Sequence, residues 1–333
     1  MPVSHTGPAW FDRRWSIPEL VERKQGRRVS VVLPALDEEA TVAGVIASIR
    51  PLVGGLVDEL LVIDSGSTDG TIAAARNAGA AVYTREHAFP RLPPRPGKGE
   101  VLWRSLAVAR GDLIVFVDSD LISPSPMFVP SLLAPLLFDD ALHLVKGFYR
   151  RPLRTEGRTD ADGGGRVTQL VARPLLAALA PELAEIVQPL GGEYAGTREL
   201  LTGIPFAPGY GVEIGILLDC FARYGVEAIG QVDLGTRLHR NRPNDQLAAM
   251  SRQVIATLLD RLGLEDSGGG LPQFIPHGTG WRRTVTEPSF ADRPPMSLAI
   301  EPPATAEADW ASPNSVTAHN QTRRWAAVVR GAN

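Results

Sequence analysis

Four short apolar runs recur between residues 29 and 120, and each is coupled to a stretch of helical spacing. Val29–Leu33, Leu60–Asp64, Ala80–Thr84 and Leu113–Val117 read as buried strands. Between them, helices are predicted over about Ala40–Arg50, from the Gly70 turn to about Ala78, and over Glu100–Ala109. Repeated βα units of this length predict an α/β fold with a doubly wound, mostly parallel sheet. Ligands on such sheets bind beyond the carboxyl ends of the strands. The conspicuous polar clusters of this chain fall at that edge.

The pattern changes on either side of this block. Ile17, Leu20, Val21 and Lys24 have helical spacing after Pro18, which predicts a short lead-in helix. Beyond residue 121, Leu132–Leu137 reads as a helix or a buried segment, and Leu144–Tyr149 as a strand. Residues 157–165 are rich in Gly and Asp and predict a flexible loop. Val167–Leu179 has helical spacing, and residues 246–262 predict an amphipathic helix. From about Asp266 the chain reads as extended or partly disordered.

Composition narrows the function classes. The net charge of −3 over 333 residues supplies no basic field for nucleic acid. Cys220 is the only cysteine, which excludes a disulfide framework and points to the cytoplasm. No apolar run reaches transmembrane length, and Met1–Trp15 lacks the apolar centre of a signal peptide. A membrane-embedded synthase is therefore not expected.

Asp118-Ser119-Asp120 closes the fourth strand. Side chains two apart on a strand share a face. Two carboxylates there can share a divalent cation, and hard cations such as Mg²⁺ often bridge carboxylates to a diphosphate. Taken alone, the triplet is equally a polar strand end. The first loop, Pro34-Ala35-Leu36-Asp37-Glu38-Glu39, has no G-x-G-x-x-G, which disfavours a dinucleotide site. Its acids suit a helix start and could accept hydrogen bonds from a nucleoside. Helix capping alone accounts for at least two of them. The second loop, Asp64-Ser65-Gly66-Ser67-Thr68-Asp69-Gly70-Thr71, offers a compact polar pocket. Lys98, between glycines before a helix, could meet a phosphate.

These four motifs, in this order, resemble the nucleotide-sugar-binding half of a GT-A type glycosyltransferase fold. Later segments narrow the resemblance. Gly165-Arg166-Val167-Thr168, Gly191-Gly192-Glu193-Tyr194-Ala195-Gly196, Tyr210-Gly211-Val212-Glu213 and Arg237-Leu238-His239-Arg240-Asn241 resemble the actinobacterial glucosyl-3-phosphoglycerate synthases. The resemblance implies transfer of glucose from UDP-glucose to D-3-phosphoglycerate with retained configuration, a first step toward methylglucose lipopolysaccharides. It implies a Mg²⁺-dependent homodimer; Mn²⁺ suits an imidazole-containing site as well. It also implies four parts: a lead-in at 1–28, a nucleotide-sugar part at 29–140, a smaller acceptor and catalytic part at 141–265, and an extension at 266–333.

Residue roles follow from the same resemblance. Pro34, Ala35, Leu36, Glu38, Ser65, Lys98, Asp118, Ser119, Asp120, Gly191 and Glu213 are expected at the nucleotide sugar. Asp120 and His239 are expected to hold the metal, with Asp118 as a further candidate ligand or a ribose partner. On its own, His239 reads as a surface histidine between arginines. Gly165, Arg166, Thr168, Tyr210, Arg237 and Asn241 are expected at the acceptor, whose phosphate and carboxylate need two anion anchors. Glu213 and Lys98 are the expected catalytic pair, although Glu213 could merely cap the helix predicted over 214–223. Retention could use a carboxylate nucleophile or same-face attack, and the second is favoured. Competing readings are a transferase using GDP-mannose or a lipid-phosphate acceptor, a sugar nucleotidyltransferase, and a non-enzymatic nucleotide-sugar sensor.

Overall fold

The computed structural model describes residues 9–11, 15–122, 124–151, 153–155, 158–160, 164–237, 243–286 and 291–300. Its strands are β1 (Ala9–Phe11), β2 (Val29–Ala35), β3 (Glu59–Asp64), β4 (Ala81–Thr84), β5 (Leu113–Phe116) and β6 (Leu144–Arg150), then β7 (Leu153–Thr155), β8 (Arg158–Asp160), β9 (Tyr194–Thr197), β10 (Ile229–Thr236), β11 (Leu271–His277) and β12 (Gly280–Thr286). Eight of them form one sheet in the order β1-β10-β6-β9-β5-β2-β3-β4. All its pairings are parallel except those of β9, which runs antiparallel to both β5 and β6.

Alternation along each strand feeds two cores. Val31, Leu33 and Val62 pack with Leu20, Val45, Ile46, Leu132 and Leu133 on one face. Val32 and Ile63 pack with Leu102, Leu106, Leu217 and Leu258 on the other. Helices therefore cover both faces, so the inner strands read as continuous apolar runs. The lead-in helix is Ile17–Lys24, capped by Ser16 and anchored by the fully buried Leu20.

The chain runs from β2 outward through β3 to β4, then returns to place β5 on the other side of β2. The sheet thus switches direction between β2 and β5. A crevice at the carboxyl ends of those strands is where such a fold takes its ligand.

Several elements differ from the sequence expectation. The helix expected at Glu100 starts at Lys98, because Gly97 adopts φ +110 and turns the chain into it. Val232–Thr236 belong to β10, which lies beside the edge strand β1. The four residues of β9 carry too little pattern to announce a strand, yet β9 closes the sheet between β5 and β6. Part of the loop expected over 157–165 is β8, hydrogen-bonded to β7. Beyond Asp266, where extended or partly disordered chain was expected, β11 and β12 are extended and pair as an antiparallel hairpin. Its tight turn satisfies backbone groups that would otherwise need water.

Candidate active site

The first two loops interlock through their side chains. Asp37 accepts a hydrogen bond from the Thr68 amide (2.8 Å), and the Ser67 hydroxyl accepts one from the Asp37 amide (3.0 Å). Glu39 accepts from the Gly70 amide (3.1 Å), and Thr71 accepts from the Glu38 amide (2.8 Å). The following helix begins only at Val42. The acids therefore fasten one loop to the next, where helix capping was the simpler expectation. Buried Asp64 accepts from the Gly66 amide (2.9 Å) and the Ser67 amide (3.0 Å). The Ser65 amide donates to the Ala35 carbonyl (2.8 Å). Pro34 and Ala35 thus end β2, and Leu36, Glu38 and Ser65 follow on one loop pair beside the switch point.

The DSD triplet joins this pair directly. Ser119 Oγ donates to the Pro34 carbonyl (2.7 Å). Lys98 Nζ donates to Asp118 Oδ1 (2.6 Å) and pairs with Glu213 Oε1 (2.7 Å). Lys98 opens the helix Lys98–Val108, and Glu213 lies in the first turn of the helix Val212–Tyr224. Close backbone packing makes this meeting possible. A Cβ on Gly97 would lie 2.9 Å from Gly209 Cα, and one on Gly99 would overlap the Ala207 carbonyl oxygen. Burial disfavours the Lys98 ammonium, but Asp118 and Glu213 outweigh it and hold its pKa well above the lysine norm. The two carboxylates therefore favour the charged form of Lys98.

Arg237, just past β10, spans both aspartates. Its Nη2 donates to Asp118 Oδ2 (3.1 Å) and Asp120 Oδ1 (2.7 Å). Its Nη1 donates to Tyr149 Oη (2.6 Å) and Glu193 Oε2 (3.2 Å). Arg237 was expected at the acceptor; the contacts described here are to acids and a phenol. Burial opposes ionisation of Asp118, yet Lys98 and Arg237 overcome it and hold the carboxyl far below the usual range. Asp118 has both oxygens engaged. Asp120 is the more exposed of the two, 30% against 19% for the side chain.

Lys146 and Glu193 were missed as parts of this site. Lys146 Nζ donates to the Gly191 carbonyl (2.7 Å) and lies 4.5 Å from the Tyr194 ring centroid. Gly192 packs so closely that a Cβ would sit 2.3 Å from Asp118 Oδ2. Because β9 is antiparallel, residues 191–193 enter the sheet from the carboxyl edge, beside Phe116 and Lys146. A lysine inside the apolar run Leu144–Tyr149 was the signal, since lysine is almost never fully buried without a partner.

The expected acceptor residues converge on a different element, the helix Asn244–Arg261. Arg166 Nη1 donates to Asn244 Oδ1 (2.5 Å), and the Tyr210 amide donates to Gln253 Oε1 (2.9 Å). Thr168 is buried, and Gly165 takes φ +73 in the turn before it. His239 and Asn241 lie outside the described residues. Among the described residues, no group of three or more His, Cys, Asp or Glu side chains could hold a metal ion.

Comparison with known proteins places this arrangement in a family. Residues 30–207 match the family model "Glycosyl transferase family 2". A glucosyl-3-phosphoglycerate synthase of Mycolicibacterium smegmatis is 64% identical over 292 residues, 88% of this chain and 96% of that protein. A crystal structure of glucosyl-3-phosphoglycerate synthase from Mycobacterium tuberculosis, in complex with Mn²⁺, UDP-glucose and phosphoglyceric acid, superposes with TM-score 0.81. It is 59% identical and covers 88% of this chain and 98% of that one. A structure of the M. tuberculosis enzyme with Mg²⁺ and UDP gives TM-score 0.82 at 59% identity, covering 88% and 99%. The chain belongs to glycosyl transferase family 2 and, within it, to the glucosyl-3-phosphoglycerate synthases.

Proposed function

We propose that this enzyme transfers glucose from UDP-glucose to D-3-phosphoglycerate, giving glucosyl-3-phosphoglycerate. One observation carries the reading: Lys98 bridges Asp118 and Glu213 at the switch point of a GT-A sheet. The relatives' complexes with UDP-glucose and phosphoglyceric acid support the substrate pair.

The donor set fits a divalent cation. Asp120 presents a hard carboxylate oxygen at the exposed edge, and Arg237 beside it lies two residues before His239. Asp120 and His239 would hold Mg²⁺ or Mn²⁺, and the ion would neutralise charge on the departing diphosphate. Asp118, tied to Lys98 and Arg237, is better placed to orient the ribose than to bind the ion. Lys98 adds positive charge for the leaving group. Glu213 orients the glucose, held in place by Lys98.

The free hydroxyl of the acceptor attacks the anomeric carbon from the side that the diphosphate leaves. The bond from that carbon to the β-phosphate oxygen breaks as the new glycosidic bond forms. The hydroxyl proton passes to the departing phosphate, and the configuration is retained. Arg166 and Thr168 anchor one acidic end of the acceptor, with Tyr210 and Asn241 lining the pocket. Arg237 reaches the other end when it exchanges a carboxylate partner for the acceptor.

The proposal includes a homodimer, for which exposed Phe274 and Trp281 on the β11–β12 hairpin offer apolar surface. It also includes a cytoplasmic location; no helix among the described residues is long and apolar enough to cross a membrane. Placement at the start of a methylglucose lipopolysaccharide route rests on the family resemblance alone. A donor panel tests the proposal: UDP-glucose, GDP-glucose and GDP-mannose, each with phosphoglycerate and Mg²⁺. The expected outcome is a glycosylated acid from UDP-glucose. Product from GDP-mannose alone would favour the mannosyl reading.

A further inference from the structure

The segment 291–300 returns from the hairpin to the back of the catalytic site. Two adjacent residues in it, Asp292 and Arg293, each grip one of the helices that carry Lys98 and Glu213. Arg293 forms a two-pronged pair with Glu100, Nε to Oε2 at 2.6 Å and Nη2 to Oε1 at 2.8 Å. Glu100 follows Lys98 by two residues, so on a helix the two point about 200° apart. Lys98 faces the site while Glu100 faces Arg293. Arg104, one turn further on, adds a second guanidinium to the Glu100 carboxylate and ties it to the carbonyls of Arg85 and Leu92. Trp103 Nε1 donates to the Pro294 carbonyl (2.7 Å), which fixes the same helix again.

The backbone of Arg293 does a second task. It exchanges both hydrogen bonds with Phe206, at 3.0 and 2.9 Å. Phe206 leads into Ala207, Pro208 and Gly209, the stretch that packs against Gly97 and Gly99 and ends at Glu213. Asp292 acts on the other helix. Arg261 joins Asp292 (2.5 Å) to Asp219 (2.9 Å), and Asp219 lies on the Glu213 helix. Glu100, Arg104, Asp219, Arg261 and Arg293 are all buried. Burying so many charges is costly unless they hold a specific geometry.

We propose that Asp292 and Arg293 are positioning residues that clasp the two helices, fixing the separation of Lys98 and Glu213. Neither touches the expected substrates; they act through Glu100 and Arg261. This deepens the proposed transfer reaction and rests on it for its kinetic consequence, though not for its geometric one.

The geometric consequence is read by lysine acylation with acetic anhydride, followed by mass spectrometry of the Lys98 peptide. In the full-length protein Lys98 is held between two acids and should acylate slowly. Arg293→Met releases the Glu100 side, so Lys98 should acylate about tenfold faster relative to surface lysines, the gain expected if its ammonium loses ~1.4 kcal/mol of ion pairing. Arg293→Lys keeps the backbone pairing and one charge, and should restore much of the protection. An unchanged Lys98 rate in folded Arg293→Met overturns the clasp. Should Arg293→Met fail to fold, Asp292→Asn takes its place: faster Lys98 acylation is expected, and an unchanged rate overturns the clasp.

The kinetic arm separates this inference from the function itself. Arg293→Met should lower kcat by about tenfold or more with KM nearly kept, since a 1 Å misplacement far from the chemistry can cost ~100-fold. In a Lys98→Ala background the same change should cost little further, because its effect passes through Lys98. Full multiplication of the two effects would overturn the positioning role. Absence of product from the wild type would overturn the transferase reading and leave the acylation result to judge the clasp.

Discussion

Lys98 Nζ lies 2.7 Å from Glu213 Oε1, so two helix starts more than a hundred residues apart share one ion pair. The pair lets a cation and a carboxylate meet in a partly buried corner of the site. Glu213→Gln keeps the shape and removes the charge. It should lower kcat by about ten- to a hundredfold while leaving UDP affinity close to wild type, the loss expected when one electrostatic contact made in the transition state disappears. Steady-state kinetics with UDP titration calorimetry checks this, and an unchanged kcat would reduce Glu213 to a helix-start residue.

Asp120→Ala should abolish metal-dependent turnover without unfolding the protein. Arg237 keeps Asp118 and Glu193 as partners in that variant, so no buried charge is left alone. Activity across a Mg²⁺ titration, with thermal unfolding as control, decides it. Full activity would remove Asp120 from the metal site.

Arg166→Ala should raise the KM for phosphoglycerate by about ten- to a hundredfold, the worth of ~1.5–3 kcal/mol for a hydrogen bond to a charged group. The KM for UDP-glucose should barely move. Equal effects on both would argue against an acceptor anchor.

Gly192→Ala forces a methyl group to within 2.3 Å of Asp118 Oδ2. Relief requires Asp118 or the 191–193 turn to shift. The variant should lose about 1–3 kcal/mol of stability from overpacking, and donor KM should rise with it. Chemical denaturation alongside kinetics measures both. Wild-type values would show that the turn yields freely.

Lys146 gives a pH signature. Burial pulls its pKa from 10.5 to about 8, against partial support from Glu213. Between those values the unfolded chain binds more protons than the folded one, so this group makes stability rise with pH across that window. Below about pH 8 the contribution is lost. Compared with Lys146→Met, the wild type should therefore gain stability from pH 8 upward. Parallel pH curves for the two proteins would contradict it.

The βα units between residues 29 and 120 were legible because their signals are local. Each βα unit announces itself within about twenty residues, and Lys98, Asp118 and Ser119 follow from a loop's place at a strand end. What was hidden depends on distant pairing. Tyr194–Thr197 becomes a strand only because β5 and β6 flank it. The carboxylate partners of Arg237 were hidden because nothing near it in sequence reveals Asp118, Asp120 and Glu193 as its neighbours. The clasp at Asp292 and Arg293 was invisible for the same reason. Both residues sit in a Pro-rich stretch that reads as tail, and their partners lie up to 193 positions away.

One measurement bears most directly on the account: proton NMR of the wild-type reaction with UDP-glucose, 3-phosphoglycerate and Mg²⁺, followed from mixing. The account predicts loss of the UDP-glucose anomeric signal with growth of a single α-glucoside signal on the acid, one UDP released for each glucose transferred. A β-glucoside would contradict same-face attack, and UDP-glucose left unchanged would contradict the transferase reading itself.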